Sequence, residues 1–120
     1  MAWTHYRELI VWQKAMDLAD EVYTLTRHLP KEELYALADQ MRRAAVSVPS
    51  NIAEGHGRQT DKEFRQFLSV AKGSVFEIET QLMICMRQHY LSEVQTKSAL
   101  SLCGEVGKML TRMITSVTKN

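Results

Sequence analysis

At 120 residues the chain can place about two thirds of its extended surface inside one core but is too short for two, so it reads as a single domain over residues 1–120. Hydrophobic residues at 45% and charged residues at 24% exclude a disordered chain, and five glycines with two prolines are too few turn formers for a sandwich or barrel, which reverses about every 8–12 residues. A formal net charge of +1 excludes a bulk electrostatic attraction to nucleic acid or to an anionic membrane.

The first pattern is helical. Leu9, Trp12, Met16, Ala19, Tyr23 and Thr26 recur at spacings of 3 and 4, and Val11, Ala15, Leu18, Val22, Leu25 and Leu29 form a second row beside them. The helix is therefore apolar over a wide arc. It is expected to end near His28, where Arg27 and His28 suit the negative end of the helix dipole and Pro30 discourages continuation.

A second helix is expected from Lys31-Glu32-Glu33, whose acids complement a helix N-terminus, through Leu34, Leu37, Met41, Ala44, Ala45, Val48 and Ile52. Pro49 lacks an amide donor and disfavours the α conformation at Val48, so a kink or short break is expected at 47–50 before helix resumes through Glu54. Gly55 and Gly57 supply stop signals.

Thr60 and Glu63 form a capping box that opens a third helix, with Phe64, Leu68, Ala71, Val75, Ile78, Leu82, Cys85 and His89 as its core row. Gly73 and Ser74 in mid-helix are read as a close helix crossing, since an exposed glycine there costs about 1 kcal/mol against alanine. Ser92 and Gln95 are a second capping box, opening a fourth helix whose stripe is Ala99, Leu102, Val106, Met109, Met113 and Val117, broadened by Cys103, Leu110 and Ile114, with Gly104 and Gly107 as further points of close approach. Connections near 28–31, 55–60 and 90–92 are short, which folds sequential helices antiparallel. The fold expected is an all-α, up-down-up-down four-helix bundle with a proline kink in its second helix.

A bundle helix needs about three apolar positions per heptad, whereas the first helix offers nearly four, with Leu9, Ile10, Val11 and Trp12 in succession. Association into a homo-oligomer would cover the excess, and a deeper seat in a monomeric core is the alternative. No apolar run is long enough to cross a bilayer and the start lacks a signal-peptide pattern, so a cytoplasmic protein without a membrane partner is expected. Cys85 and Cys103 are too isolated for a disulfide or zinc framework and read as packed thiols.

Catalytic signatures are missing from the pattern. His5, His28, His56 and His89 lack metal-site spacing, Glu77 and Glu79 cannot share a helical face, and His56 between Gly55 and Gly57 has no assignable nucleophile or carboxylate. No metal site, no cofactor and no enzymatic activity are expected. Locally, however, Arg42, Arg43 and Arg58 face only Glu54 between residues 40 and 58, and Lys62 and Arg65 follow. Guanidinium groups hold phosphate oxygens bidentately without reading bases. In one chain the expectation is that Arg42 or Arg43 pairs with Asp39, Glu54 or Glu77 and the rest is a solvated face; repeated around an oligomer the cluster would form a positive ring or channel.

The runs Leu9-Ile10-Val11-Trp12-Gln13-Lys14-Ala15, Gln40 through Arg58 with its Asn51-Ile52-Ala53-Glu54-Gly55 ending, and Phe67-Leu68 through Gly73-Ser74 resemble the proteins encoded in intervening sequences of bacterial 23S rRNA genes. The resemblance spans nearly the whole chain. It implies a short cytoplasmic four-helix bundle assembling as a homopentamer, related to the accessory proteins of diversity-generating retroelements, which partner a reverse transcriptase and bind nucleic acid. Those accessory proteins are strongly basic, and this chain is not. The resemblance makes Arg42, Arg43 and Arg58 the candidate contacts to structured RNA or a nucleoprotein, with Lys62 and Arg65 beside them. It assigns Gln40, Pro49, Asn51, Glu54 and Gly55 a structural part, with Gln40, Asn51 and Glu54 tying the second helix to its neighbours through buried hydrogen bonds. The alternative is a protein-interaction scaffold with no nucleic-acid role.

Overall fold

The computed structural model describes residues 5–118. A 3₁₀ turn at Tyr6–Glu8 leads into α1 (Ile10–Thr26); a second 3₁₀ turn at Lys31–Glu33 precedes α2 (Leu37–His56), and α3 (Asp61–Arg87) and α4 (Glu93–Thr118) complete the chain. Each helix packs on two neighbours, with α1 closing against α4, and the diagonal pairs do not meet. This is the expected all-α four-helix bundle.

The core is made by the predicted rows. Val11, Ala15, Leu18, Val22 and Leu25 of α1 meet Met41, Ala45, Val48 and Ile52 of α2, while α3 contributes Leu68, Ala71, Val75, Ile78, Leu82 and Cys85 and α4 contributes Ala99, Cys103, Val106 and Leu110. Of the two apolar rows on α1, the Val11 row is buried through Leu25; in the other only Thr26 is buried, Trp12 and Ala19 are half-buried and Met16 and Tyr23 exposed. Polar contacts tie the periphery: Lys14 Nζ lies 2.7 Å from Glu105 Oε2 across α1 and α4, and Tyr90 Oη donates to Glu33 Oε2 at 2.9 Å.

Several boundaries differ from the sequence reading. The acids at 31–33 open a 3₁₀ turn and not α2 itself; Ala36 leaves helical geometry at φ −120°, ψ −103°, and α2 starts at Leu37. No break occurs at 47–50, since α2 runs through Pro49. Proline cannot donate to the Ala45 carbonyl, but Pro49 is itself buried and its flanking turns are held by core contacts of Val48 and Ile52. Just beyond it, Asn51 Nδ2 donates to the Ser47 carbonyl at 2.7 Å. Tertiary packing here outweighs the local preference.

The two capping boxes form unequally. Ser92 and Gln95 exchange both bonds, Gln95 N to Ser92 Oγ at 3.1 Å and Ser92 N to Gln95 Oε1 at 2.8 Å. At α3, Thr60 Oγ1 accepts from Glu63 N at 3.1 Å, but the Glu63 carboxylate takes the Thr60 hydroxyl at 2.9 Å and leaves the Thr60 amide. Ser74 is buried at the α2–α3 crossing, where its hydroxyl donates to Ser47 Oγ at 2.8 Å. Gly73 is not at a crossing: it is exposed, and a Cβ built on it meets nothing within 4 Å.

His89, expected in the core row, lies outside α3 and is exposed at φ 63°. It occupies the left-handed residue of a Schellman turn, in which Tyr90 N donates to Cys85 O at 2.8 Å and His89 N to Met86 O at 3.1 Å. Glycine carries no Cβ penalty in that conformation, so His89→Gly is expected to raise stability by about 0.5–1 kcal/mol, and His89→Val to lower it. Urea denaturation of the two variants checks both signs.

Candidate functional site

The predicted cationic residues fall into two separate groups. Fifteen residues of mostly helical rise put Arg43 and Arg58 about 22 Å apart, so Arg42 and Arg43 sit in the first half of α2 while Arg58 joins Lys62 and Arg65 at the α2–α3 turn. In the first group Arg42 Nη2 donates to the Leu34 carbonyl at 3.2 Å, and Arg43 Nε lies 3.0 Å from Asp39 Oδ2. The Arg43 side chain is still 79% exposed; a surface pair of this kind is worth no more than about 1 kcal/mol and yields readily to a phosphate.

The second group explains why the Asn-Ile-Ala-Glu-Gly run has its composition. Asn51 reaches Ser47, which carries the bond from Ser74 of α3; Ile52 is fully buried; Glu54 Oε2 holds Arg58 Nη2 at 2.7 Å. A Cβ on Gly55 would stand 2.6 Å from Phe67 Cβ, so only glycine lets α3 come this close. Phe67, brought in by that approach, has the Arg58 guanidinium 4.8 Å from its ring centroid. Gly55 and Glu54 thus position Arg58 from two sides. The His56 ring packs edge-on to Phe64 at 6.2 Å.

Three of the structural assignments take a different form. Gln40 and Glu54 are exposed, and Glu54 bonds to Arg58 in the turn that follows α2, so neither ties α2 to a neighbour through a buried bond. Asn51 does so only through Ser47. Around the turn, the charges of Arg58, Lys62 and Arg65 are matched in number by Glu54, Asp61 and Glu63, which makes this end locally neutral in a single chain. Among the described residues, Lys62 and Arg65 form no ion pair.

Two surface grooves flank these groups. One of about 480 Å³ between α1 and α2 is lined by Trp12, Met16, Ala19, Tyr23, Val46 and Pro49 among others, and Tyr23 and Val46 continue from it to Arg42, Arg43 and Asp39. The other, about 440 Å³ between α3 and α4, brings together Lys72, Lys108 and Arg112. Sequence reasoning missed this second set. Lys108 and Arg112 are visibly one turn apart, but pairing them with Lys72 requires the register of α3 on α4.

The cysteines are chemically quiet. Burial pushes the Cys85 thiol up to about 11 and the Cys103 thiol up to about 12, with Glu33 and Glu79 adding to the respective effects. An unfolded thiol ionises near its ordinary value of about 8.5. The folded state therefore holds these protons longer, and its stability is complete below about pH 8.5 and declines as pH rises through about 11–12. The expected result is a urea midpoint that falls between pH 8.5 and 11, with the fall reduced in a Cys85→Ala/Cys103→Ala variant. Among the described residues no group of three His, Cys, Asp or Glu could hold a metal ion, and no helix is long and apolar enough to cross a membrane.

No curated protein matches the chain significantly. A solved structure that does is the 1.70 Å crystal structure of a protein of unknown function from the S23 ribosomal protein family of Bacteroides thetaiotaomicron VPI-5482, with a TM-score of 0.81 over 88% of this chain and 98% of that one. Its sequence is 24% identical, so the likeness speaks for the fold. The sequence model of the 23S rRNA-intervening sequence proteins matches residues 7–112, a span that includes α1, α2, α3 and most of α4, and the chain belongs to that family.

Proposed function

We propose that this protein is a non-enzymatic, cytoplasmic homo-oligomer, pentameric by its resemblance and akin to the accessory proteins of diversity-generating retroelements, that associates with structured RNA or a nucleoprotein. Repeated copies of Arg42, Arg43, Arg58, Lys62 and Arg65 supply the phosphate contacts. The observation that carries this reading is the presence of two distinct apolar faces on one subunit. The α1–α2 groove is concave, with Met16, Tyr23 and Val46 exposed. The outer side of α3 exposes Val70, one turn from Gly73, and Ile84, three turns beyond it, and the open surroundings of Gly73 admit close approach by another chain. Unlike faces on one subunit support a head-to-tail contact, which forms a ring when its rotation closes.

Ring closure matters for the electrostatics. A cluster that is locally neutral in one chain needs repetition, and release of its weak surface pairs, to hold a polyanion. The local charge balance at the α2–α3 turn favours a second reading, a protein-interaction scaffold that uses the same apolar faces for an unrelated partner. Purification with and without nuclease separates the two. The nucleic-acid reading expects RNA or DNA to be retained by the untreated protein and lost in high salt; a single stoichiometric protein retained after nuclease, with no nucleic acid before it, overturns that reading in favour of the scaffold.

A further inference from the structure

The α3–α4 groove has a composition that neither the bundle nor the arginine clusters explain. Its lining includes the Phe76 ring, 54% exposed, and the bare backbone of α4 at Gly104 and Gly107. Nothing lies within 4 Å of a Cβ built on Gly104, and a Cβ on Gly107 would only touch Val75 Cγ1 at 4.0 Å. A glycine in an exposed helix interior costs about 1 kcal/mol against alanine, and no packing within the chain uses the space that Gly104 leaves open. What remains is open groove space beside the Phe76 ring, where a flat group can lie against it.

The charges are arranged by end. The Val75–Gly107 approach fixes the antiparallel register, so Lys72 of α3 lies with Lys108 and Arg112 of α4, while Glu79 lies two turns away beside Cys103 and Gly104. No hydrogen bond or ion pair engages Lys72, Lys108 or Arg112 among the described residues; Lys72 Nζ only overhangs the Phe76 ring, 5.8 Å from its centroid. The cationic end and Glu79 are separated by about 10 Å, from seven residues of helical rise. A ligand that satisfies all of these features carries a flat ring for the space beside Phe76, an anion at one end, and a hydrogen-bond donor toward the carboxylate at the other. An aromatic carboxylic acid leaves Glu79 unused, and a simple phosphate leaves that space empty.

We infer that the α3–α4 groove binds a nucleotide, with the base against Phe76 in the space left open by Gly104, its amino edge toward Glu79, and the phosphate at Lys72, Lys108 and Arg112. The combination of a cationic groove and a stacking ring is the physical basis of single-strand recognition, and a free nucleoside phosphate offers the same chemistry. The inference shares its ligand class with the nucleic-acid reading above but none of its residues, so the two fail separately.

The test is calorimetric titration of the full-length protein with 5′-AMP and, separately, with an eight-nucleotide oligoadenylate. Saturable binding of either probe is expected. Gly104→Leu fills the open space from an exposed helical position, and Phe76→Ala removes the stacking ring; each is expected to weaken binding about tenfold or more with helical circular dichroism unchanged. Lys108→Gln/Arg112→Gln is expected to weaken binding and flatten its salt dependence. AMP binding as tightly as the oligomer identifies the free nucleotide as the source, and a much tighter oligomer identifies a strand. No binding of either probe, or equal binding by wild type and Gly104→Leu, overturns this site. So does a Gly104→Leu variant of smaller particle mass, which makes the groove a contact between copies. Oligoadenylate binding that responds to Arg42→Ala/Arg43→Ala/Arg58→Ala but ignores Gly104→Leu removes this site and leaves the arginine reading standing.

Discussion

Gly55→Ala is expected to destabilise the protein by about 2 kcal/mol, a fall in Tm of about 6–12 °C for a domain of this size. The added methyl would stand 2.6 Å from Phe67 Cβ and 3.1 Å from Phe64 Cδ1. Phe64 can shift its ring, but a Cβ is rigidly attached to its backbone, so relief requires α2 and α3 to separate at their turn. That separation also withdraws Phe67 from beneath Arg58. The helix propensity gained by alanine, at most about 1 kcal/mol, offsets part of the cost. Gly57 is the control: its backbone is at φ −82° and a Cβ there meets only carbonyl oxygens at ordinary van der Waals distance, so Gly57→Ala is expected to be neutral. Thermal unfolding of the pair checks the account; equal Tm values for both variants and wild type contradict it.

The second large effect concerns binding. If the repeated arginines hold phosphates, nucleic-acid affinity falls steeply with salt, and Arg42→Ala/Arg43→Ala/Arg58→Ala reduces the slope of log K against log salt by about 3 for each subunit in contact. The variant is expected to stay folded, because the bonds it removes are exposed ones: the Leu34 carbonyl, Asp39 and Glu54 can all turn to water. Arg58→Ala alone is expected to account for the larger share. Its guanidinium keeps the Phe67 ring beneath it when the Glu54 pair is released, so less conformational freedom is lost when it meets a phosphate than for the 79% exposed Arg43 side chain. Fluorescence anisotropy with a structured RNA at several salt concentrations measures both quantities. An unchanged slope in the folded triple variant would place the contacts elsewhere.

The helices were legible because their core rows are long and regularly spaced, and because Thr60 and Ser92 mark two starts by local hydrogen bonding. His89 shows where periodicity misleads. It falls one turn beyond Cys85 on the same row, yet the chain has already turned through a left-handed residue that a search for glycine overlooks. The late start of α2 has a similar cause, since the acids at 31–33 suit a helix N-terminus and a 3₁₀ turn alike. For the candidate site, the pairs Arg43–Asp39 and Arg58–Glu54 are readable from a spacing of four. The stacking of Arg58 on Phe67 is not, because it depends on how closely Gly55 lets α3 approach. Gly73 was read as a helix crossing and Gly104 as a point of close approach by another helix; both face open space, and only the three-dimensional arrangement shows which neighbours share that space.

The central claim is that unlike apolar faces, the α1–α2 groove and the outer side of α3, are covered by further copies of the same chain. Sedimentation equilibrium at micromolar concentration tests it directly. The account predicts a mass several times that of one chain, five for the pentamer, with dissociation on Val46→Glu or Val70→Glu at unchanged helix content. A particle of single-chain mass would contradict it.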